Sequence, residues 1–349
     1  MTSQITNPGA VTGNAAAETI TYAAAINQAL ALALETDPDV FLLGEDIGSG
    51  GGVYKVTKGL YEQFGADRVV DTPISEAEFV GLAAGAAIAG MRPVAELMFV
   101  DFALVAGDQL FNQVAKLGYL SGGKLRVPLT VRTQQGISGG GGSQHSQSLE
   151  TLFAHMPGFA VAMPATPADA KGLLTAAIRM DEPTVFIEHK GLYFTKGQVP
   201  TGEHVVPFGV ASVRRDGGDI TLVSYSRGVH WCLEAAEELS ARHGVEATVI
   251  DVRTIVPLDI ETVAESVART HAVVVVHESA RTAGMGAEIA SQLTERCWSD
   301  LRAAPRRVAG LDIPVPYSRP LEQRWLPQVQ SVVSCVLETV GAGAGALSQ

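Results

Sequence analysis

The chain has 349 residues, 46% of them hydrophobic, so it is long enough and apolar enough to bury the cores of two domains. Asp and Glu number 37 against 25 Lys and Arg, and no segment concentrates the basic residues, so we expect no nucleic acid partner. The three cysteines, Cys232, Cys297 and Cys335, are too far apart for a CxxC pair and odd in number, so a reducing, cytoplasmic setting fits best.

The first 18 residues carry no Lys or Arg and no apolar core, so they do not resemble a signal peptide. We predict that residues 1–18 form a flexible N-terminal arm. The longest uncharged apolar run, residues 79–91, is shorter than the roughly 20 residues of a membrane span, so no membrane association is expected.

In the first half of the chain, short apolar runs typical of buried strands alternate with longer, Ala-rich helical patterns. Strands are predicted at 40–44, 93–99, 127–133, 159–164 and 183–189, and helices at 20–35, 75–90, 101–116 and 167–180. This alternation predicts an α/β domain over residues 19–195, with a mostly parallel sheet covered on both faces.

A Gly/Pro-rich connection follows Lys190, and the alternation then resumes. The predicted elements are strands at 220–226, 246–252 and 272–279 and helices at 229–242, 259–269, 285–298 and 322–340. We predict a second, smaller α/β domain over residues 196–340, and a disordered, low-complexity tail over residues 341–349.

The Gly-rich segment 44–52 raises the alternative of a nicotinamide-dependent oxidoreductase. Gly48 and Gly50 match the first two positions of the GxGxxG fingerprint, but the third position falls on Val53 and no helix begins there. The simpler interpretation of residues 44–52 is a mobile surface loop.

The segment "DTPISEAEFVGLAAGAAIAG" (71–90) predicts a helix start, because Ser75 and Glu78 have the spacing of a capping box. Glu76 then lies in the first turn. A carboxylate there can simply complement the helix dipole. A helix of such small residues is normally buried, however, and a buried carboxylate must be paired, hydrogen-bonded or functionally perturbed.

The segment "GGGGSQHSQS" (139–148) follows a predicted strand and places four glycines before His145. Glycines let the backbone adopt positive φ angles and approach a ligand closely. Judged by this segment alone, a histidine in a polar loop more often bonds a turn than takes part in catalysis.

Six motifs in order, "DTPISE", "AELMFVDF", "GGGGSQHSQS", "MPATPADAKGLL", "FIEHKGLY" and "VIDVRTIVPLD", resemble the β subunit of the thiamine diphosphate-dependent first component of 2-oxo acid and acetoin dehydrogenase complexes. The resemblance runs from about residue 19 to about residue 340 and is closest to the acetoin branch. It implies a transketolase-like pyrimidine-binding domain followed by a domain like the transketolase C-terminal domain.

The resemblance also implies partners and cofactors. The chain would form an α2β2 heterotetramer whose α subunit holds Mg2+ and the diphosphate of thiamine diphosphate through a GDG…NN motif, which is missing from this sequence. The tetramer would act with a dihydrolipoyl acyltransferase core that carries lipoyl domains. The second domain would contribute contacts to these partners and no catalytic residue.

Site residues follow from the same resemblance. Glu76 would hydrogen-bond the pyrimidine ring and activate the cofactor, while Ile74, Ser75, Met98 and Phe102 would line the cofactor pocket. His145 would face the reacting carbon. Main-chain carbonyls would hold a monovalent cation such as K+; the matching residues are Leu129, Ala177, Ile178 and Met180.

The implied function is cleavage of acetoin, or decarboxylation of a short 2-oxo acid such as pyruvate, with transfer of the acyl unit to lipoyl-lysine. Met98 and Phe102 argue against a branched-chain 2-oxo acid dehydrogenase, whose members carry Gln and Tyr there, but that alternative stays open. The alternatives of another class are the nicotinamide-dependent enzyme and a non-catalytic scaffold subunit.

Overall fold

The computed structural model describes residues 16–346. Its strands are β1 (Ala17–Thr21), β2 (Val40–Gly44), β3 (Val69–Asp71), β4 (Arg92–Leu97), β5 (Thr130–Gln135), β6 (Ala160–Ala162), β7 (Thr184–His189), β8 (Lys196–Pro200), β9 (Ser212–Arg215), β10 (Ile220–Ser224), β11 (Ala247–Asp251), β12 (Thr254–Val256), β13 (Val273–Ala280) and β14 (Arg306–Gly310). Its α-helices are α1 (Tyr22–Thr36), α2 (Leu60–Phe64), α3 (Glu76–Ile88), α4 (Ala115–Leu120), α5 (Glu150–His155), α6 (Pro167–Arg179), α7 (Gly228–His243), α8 (Ile260–Thr270), α9 (Met285–Cys297), α10 (Arg319–Trp325) and α11 (Val329–Ala346).

The chain forms two compact units. Unit 1 runs to Gln135 and continues over Leu152–Phe208, whereas unit 2 consists of Gly136–Thr151 and the chain from Gly209 onwards. By internal contacts, the junction falls between Phe208 and Gly209 rather than at the predicted boundary between residues 195 and 196. A larger difference is that residues 136–151, which we assigned to the first domain, belong to unit 2.

In unit 1, six parallel strands lie in one sheet in the order β6-β7-β5-β4-β2-β3. All five residues of β2 are buried, as expected for a strand covered on both faces. Val40 and Leu42 point to one face and pack with Leu30 of α1 and Leu173 of α6. Each such fully buried side chain contributes about 1.5–3 kcal/mol to stability. β1 and β8 form a separate antiparallel pair.

In unit 2, the sheet order is β14-β13-β10-β11-β9, and β9 alone is antiparallel to its neighbour. β10 and β11 are buried throughout. Their apolar residues join side chains of α7 and α11 in a second hydrophobic core. The predicted α/β class with mostly parallel sheets is therefore confirmed in both units.

Several predicted elements need correction. Residues 101–116 are not one α-helix: a 3-10 helix over Val100–Leu104 and a π-helix over Asp108–Val114 precede α4. The predicted helix 322–340 is two helices, α10 and α11, because Pro327 cannot donate the backbone bond that a continuous helix requires.

Both predicted chain ends differ in part from the structure. The tail is not disordered over residues 341–346, which extend α11, since the alanines of "GAGAGA" favour continuation of a helix already begun. Residues 347–349 lie outside the described part. At the other end, β1 begins at Ala17, within the predicted arm, and residues 1–15 are not described. Between residues 16 and 346 no helix is both long and apolar enough to cross a membrane.

Candidate active site

The carboxyl ends of β3, β2 and β4 bring several of the predicted site residues to one edge of the unit 1 sheet. β2 pairs with β3 on one side and with β4 on the other. After β2 the chain therefore first forms β3 and then crosses over to form β4 on the opposite side of β2. Such a switch point creates a crevice at the carboxyl edge, where open α/β sheets bind ligands. Glu45 follows β2, Glu76 follows β3 and Met98 follows β4.

Glu76 is the first residue of α3 and is only 7% exposed. The predicted capping box is wrong: the Ser75 side chain makes no capping hydrogen bond, and the Ser75 carbonyl accepts from the N–H groups of Glu78 and Phe79 instead. Within residues 16–346, the Glu76 carboxylate accepts no hydrogen bond. The Glu76 carboxylate is therefore available to bind a polar ring nitrogen.

Glu45 provides a second carboxylate near Glu76. Burial raises the pKa of Glu45 above its usual value, and the negative charges of Asp46 and then Glu76 raise it further. Glu45 and Glu76 are therefore within electrostatic reach of each other. No sequence motif singled out Glu45, because it was part of the segment interpreted as a mobile loop.

Residues 44–52, interpreted above as a surface loop, are held by specific hydrogen bonds. The Gly48 N–H donates to Asp71 Oδ1 at 2.6 Å, and Thr57 Oγ1 donates to the buried Ile47 carbonyl at 2.7 Å. A Cβ on Gly44 would lie 2.7 Å from the Glu96 carbonyl oxygen, so glycine allows β2 and β4 to approach closely. The glycines thus serve close packing at the crevice.

The apolar residues that we predicted to line the pocket differ in exposure. Met98 is buried and Phe102 is half-buried, whereas Ile74 is 73% exposed. Ile74 immediately precedes the helix start, and a large exposed aliphatic side chain beside a buried carboxylate fits a surface that another molecule covers. The peptide bond between Met98 and Phe99 is cis.

A buried ionic network lies within the same sheet and was not predicted. Arg132 on β5 donates from Nε to Glu188 Oε1 and from Nη1 to Glu96 Oε2, both at 2.7 Å. Tyr193 Oη donates to Glu188 Oε2 at 2.5 Å, and Gln134 Nε2 donates to Glu96 Oε1 at 3.0 Å. The network therefore ties together β4, β5 and β7.

Burial and charge oppose each other in this network. Burial raises the pKa of Glu188 to about 7, although Arg132 lowers it. Burial alone would lower the pKa of Arg132, but the charges of Glu188 and Glu96 raise it. The signal in the sequence is a charged residue within each of three apolar strands, which only the fold brings together.

His145 lies on the segment 136–151, which we call the histidine loop and which belongs to unit 2. Its side chain is exposed. Gly140 has a φ of +84°, a conformation that favours glycine, and a Cβ on Gly141 would lie 2.4 Å from Ser146 Oγ. The loop also closes on itself, since the Gly136 N–H donates to the Gln147 carbonyl at 3.0 Å. The glycines thus permit a compact loop.

The residues predicted to hold a cation are close to an arginine. Arg92 Nη1 donates to the carbonyls of Ile178 and Met180 at 3.2 and 3.1 Å, and Nη2 donates to Asp181. The carbonyl of Ala177 accepts from the Met180 N–H, and that of Leu129 accepts from the Thr184 N–H, so all four carbonyls already accept a hydrogen bond.

The positive charge of Arg92 argues against a cation at these carbonyls, because a second positive charge there would be repelled. We therefore assign no step to K+. In the part of the chain that the structure describes, no cluster of three or more His, Cys, Asp or Glu residues could hold a metal ion.

Unit 2 contains one strongly perturbed histidine. His277 on β13 is fully buried, bonds Ser279 Oγ through Nδ1 and stacks on Tyr225. Burial and the nearby Arg307 lower its pKa to about 4, so it is neutral at physiological pH. Tyr225 in turn donates to Glu150 Oε1 at the end of the histidine loop.

Comparisons with known domains agree with this architecture. The family model "Transketolase, pyrimidine binding domain" matches residues 18–196, and "Transketolase, C-terminal domain" matches residues 209–332. The solved structure of a split gene transketolase, an inactive β4 tetramer, gives a TM-score of 0.76 at 22% identity and covers 93% of this chain and 99% of its own. The fold is therefore the two-domain fold of transketolase-type proteins, as predicted.

Relatives of known name define the family more narrowly. The chain is 44% identical to the acetoin:2,6-dichlorophenolindophenol oxidoreductase subunit beta of Cupriavidus necator, over 91% of this chain and 97% of the relative. It is 43% identical to the 2-oxoisovalerate dehydrogenase subunit beta of Bacillus subtilis, over 91% and 98%. It is 44% identical to the pyruvate dehydrogenase E1 component subunit beta, mitochondrial, of Caenorhabditis elegans, over 94% and 95%. The chain belongs to the family of these β subunits, which confirms the resemblance found in its motifs.

Proposed function

We propose that this chain is the catalytic β subunit of a thiamine diphosphate-dependent α2β2 enzyme that cleaves acetoin or decarboxylates a short 2-oxo acid such as pyruvate. The acyl unit then passes to lipoyl-lysine of an acyltransferase core. The observation that carries the proposal is Glu76, a buried carboxylate at the carboxyl edge of a parallel sheet whose side chain accepts no hydrogen bond from the described residues.

When bound, thiamine diphosphate supplies a thiazolium carbon that attacks a carbonyl and stabilises the negative charge left by bond cleavage. Glu76 would share a proton with the pyrimidine ring nitrogen, and its position at the start of α3 would fix it there. Met98 and Phe102 would give the ring apolar contacts, while Ile74 and Ser75 would contact it beside the carboxylate. A bound partner subunit would exclude water from Glu76 and so strengthen its hydrogen bond to the ring.

His145 acts later, by hydrogen-bonding the substrate and moving a proton during transfer of the acyl unit to lipoyl-lysine. Its exposed position suits a residue that meets a mobile lipoyl arm. Mg2+ and the diphosphate would be held by the α subunit, because this sequence lacks the GDG…NN motif. The three cysteines are free and buried, which agrees with a cytoplasmic setting.

Substrate choice rests on Met98 and Phe102. The resemblance implies Gln and Tyr at these positions in branched-chain members, so we propose acetoin or pyruvate ahead of 2-oxoisovalerate. Overall identity does not separate these substrates, since the acetoin, branched-chain and pyruvate relatives are 44%, 43% and 44% identical.

The test is reconstitution with an α subunit, followed by turnover measurements with acetoin, pyruvate and 2-oxoisovalerate side by side. Turnover of acetoin or pyruvate above that of 2-oxoisovalerate supports the proposal, and a preference for 2-oxoisovalerate contradicts the substrate assignment. A reconstituted tetramer that turns over none of the three would support the scaffold alternative. The matched domain models do not support the nicotinamide alternative.

A second test asks whether this chain binds thiamine diphosphate tightly only together with the α subunit. Calorimetry on the isolated chain should show no tight binding of thiamine diphosphate, and addition of the α subunit should restore it. Micromolar binding by the isolated chain would contradict a cofactor site shared with the α subunit.

A further inference from the structure

The start of the histidine loop is fixed by unit 2 through both backbone groups of one residue. The Ile137 N–H donates to Glu278 Oε1 at 2.6 Å, and the Ile137 carbonyl accepts from Arg227 Nη1 at 2.9 Å. The Ile137 side chain is 1% exposed and belongs to the hydrophobic core of unit 2, with Trp231 and Val276. Loop residues rarely enter a core, so this end of the loop is firmly held.

The glycine run is held by a second carboxylate. Glu322 on α10 accepts from the Gly140 N–H at 2.8 Å and is only 1% exposed. In the described part of the chain this is the only hydrogen bond of its side chain, and Oε2 is buried without a partner. A buried carboxylate is expensive, and a charge-assisted bond to an N–H is strong, so Glu322 is placed to hold Gly140.

The far end of the loop has a third attachment. Glu150 is completely buried, and its Oε1 accepts from Tyr225 Oη at 2.7 Å. His145 therefore lies between attachments at Ile137, Gly140 and Glu150. Because glycine has more conformations available than any other residue, the run 139–142 would otherwise leave the position of His145 poorly defined.

We propose that Glu322, together with Glu278 and Arg227, positions His145 for acyl transfer, so that unit 2 both carries His145 and holds it in place for the second half-reaction. The proposal rests on the proposed function of His145. If Glu322 only stabilised the short helix α10, it would be buried to the same extent. Its loss would then have no effect that is specific to the reaction of His145. The two roles therefore differ in which half-reaction is lost.

The experiment compares Glu322→Ala and Glu322→Gln in the tetramer reconstituted with an α subunit. Turnover is measured with lipoamide and with 2,6-dichlorophenolindophenol as acceptor. Hydrogen–deuterium exchange of residues 136–151 is followed by mass spectrometry. Glu322→Gln keeps an acceptor oxygen for the Gly140 N–H. The matched control is Glu338→Ala, which removes an exposed ion pair with Arg306.

We expect Glu322→Ala to lower lipoamide-dependent turnover by about 10- to 100-fold, because small displacements of a catalytic group have effects of that size. Dye-dependent turnover should fall much less, exchange in the histidine loop should become faster, and Glu322→Gln should recover most of the loss. Lipoamide- and dye-dependent turnover that fall in parallel, or loop exchange unchanged from the Glu338→Ala control, would overturn the proposal.

A double variant separates this proposal from the function of His145. If Glu322 acts through His145, adding Glu322→Ala to His145→Ala should cost little beyond the single His145→Ala change. Additive losses would mean that Glu322 acts independently of His145. If His145→Ala alone turns over lipoamide normally, the proposed role of His145 fails, whereas a defective His145→Ala beside a normal Glu322→Ala overturns only the positioning role.

Discussion

Units 1 and 2 are both built on parallel sheets, but they hold their candidate catalytic residues in different ways. In unit 1, Glu76 begins a helix that directly follows a strand of the same unit. In unit 2, His145 lies on a segment that follows β5 of unit 1 in sequence and is held by contacts from residues far along the chain. Sequence position therefore shows which strand a residue follows, while contacts decide which unit fixes it.

The units also differ in how pH acts on their buried groups. Glu188 in unit 1 has a pKa of about 7, above its ordinary 4.5, so its contribution to stability is complete below pH 4.5 and is lost as pH rises through about 7. His277 in unit 2 has a pKa of about 4, below its ordinary 6.5, so its contribution is complete above pH 6.5 and is lost as pH falls through about 4.

The largest stability effect is expected in the ionic network of unit 1. Arg132→Met would leave two buried carboxylates uncompensated and should lower the free energy of unfolding by about 3–5 kcal/mol. The measurement is urea unfolding followed by circular dichroism. The matched control is Arg126→Met, since Arg126 is 76% exposed and pairs with Asp181 at the surface. That change should cost about 0–1 kcal/mol. Equal losses in the two variants would contradict a structural role for the network.

The next effect is the acid sensitivity of unit 2. As pH falls from 6.5 to 4, folding should lose about 3 kcal/mol at His277, because the unfolded chain gains a proton with a pKa of 6.5 and the folded protein only with a pKa of about 4. All three tryptophans lie in unit 2, so their fluorescence reports this unit. His277→Gln should remove that part of the pH dependence, and the exposed control His243→Gln should not. If the stability of His277→Gln depends on pH as strongly as that of the wild type between pH 6.5 and 4, His277 is not the source of the acid sensitivity.

A smaller effect is expected in the histidine loop. Gly141→Ala would place a Cβ 2.4 Å from Ser146 Oγ and should destabilise unit 2 by about 1–3 kcal/mol through crowding. Gly218→Ala is the control, because a Cβ there would meet no atom within 4 Å. Tryptophan-detected unfolding of both variants gives the comparison. If Gly141→Ala is as stable as the Gly218→Ala control, the loop accommodates a Cβ at residue 141 and the expected crowding is absent.

The smallest expected effect concerns the carbonyls that contact Arg92. A cation bound there would raise the melting temperature with concentration, because ligands that bind the folded state stabilise it. Since Arg92 already contacts two of the four carbonyls, KCl and choline chloride should give the same melting temperature at equal ionic strength. A rise that is specific to K+ and saturates would contradict this interpretation.

Local patterns predicted much of this molecule. The strand 40–44 agrees with β2 because a short continuous apolar run is typical of a strand buried on both faces, and the helix 285–298 agrees with α9 because its apolar residues recur at helical spacing. Glu76 and His145 were singled out through motifs that resemble the β-subunit family, and their roles stay predictions. The network at Arg132 and the attachment at Glu322 could not be predicted, since the latter joins residues 182 positions apart. No local pattern encodes such pairs.

Glu76 and His145, held by different units, are proposed to serve different half-reactions. The direct test measures two quantities in the reconstituted tetramers of Glu76→Gln and His145→Ala: deuterium exchange at C2 of thiamine diphosphate, and acyl transfer to lipoamide in single turnovers that start from the two-carbon unit already on the enzyme. Glu76→Gln should slow C2 exchange by about 10²–10⁴-fold, and His145→Ala should slow acyl transfer by a similar factor with a far smaller effect on exchange. Normal C2 exchange in Glu76→Gln, or equal losses of both quantities in His145→Ala, would contradict the claim.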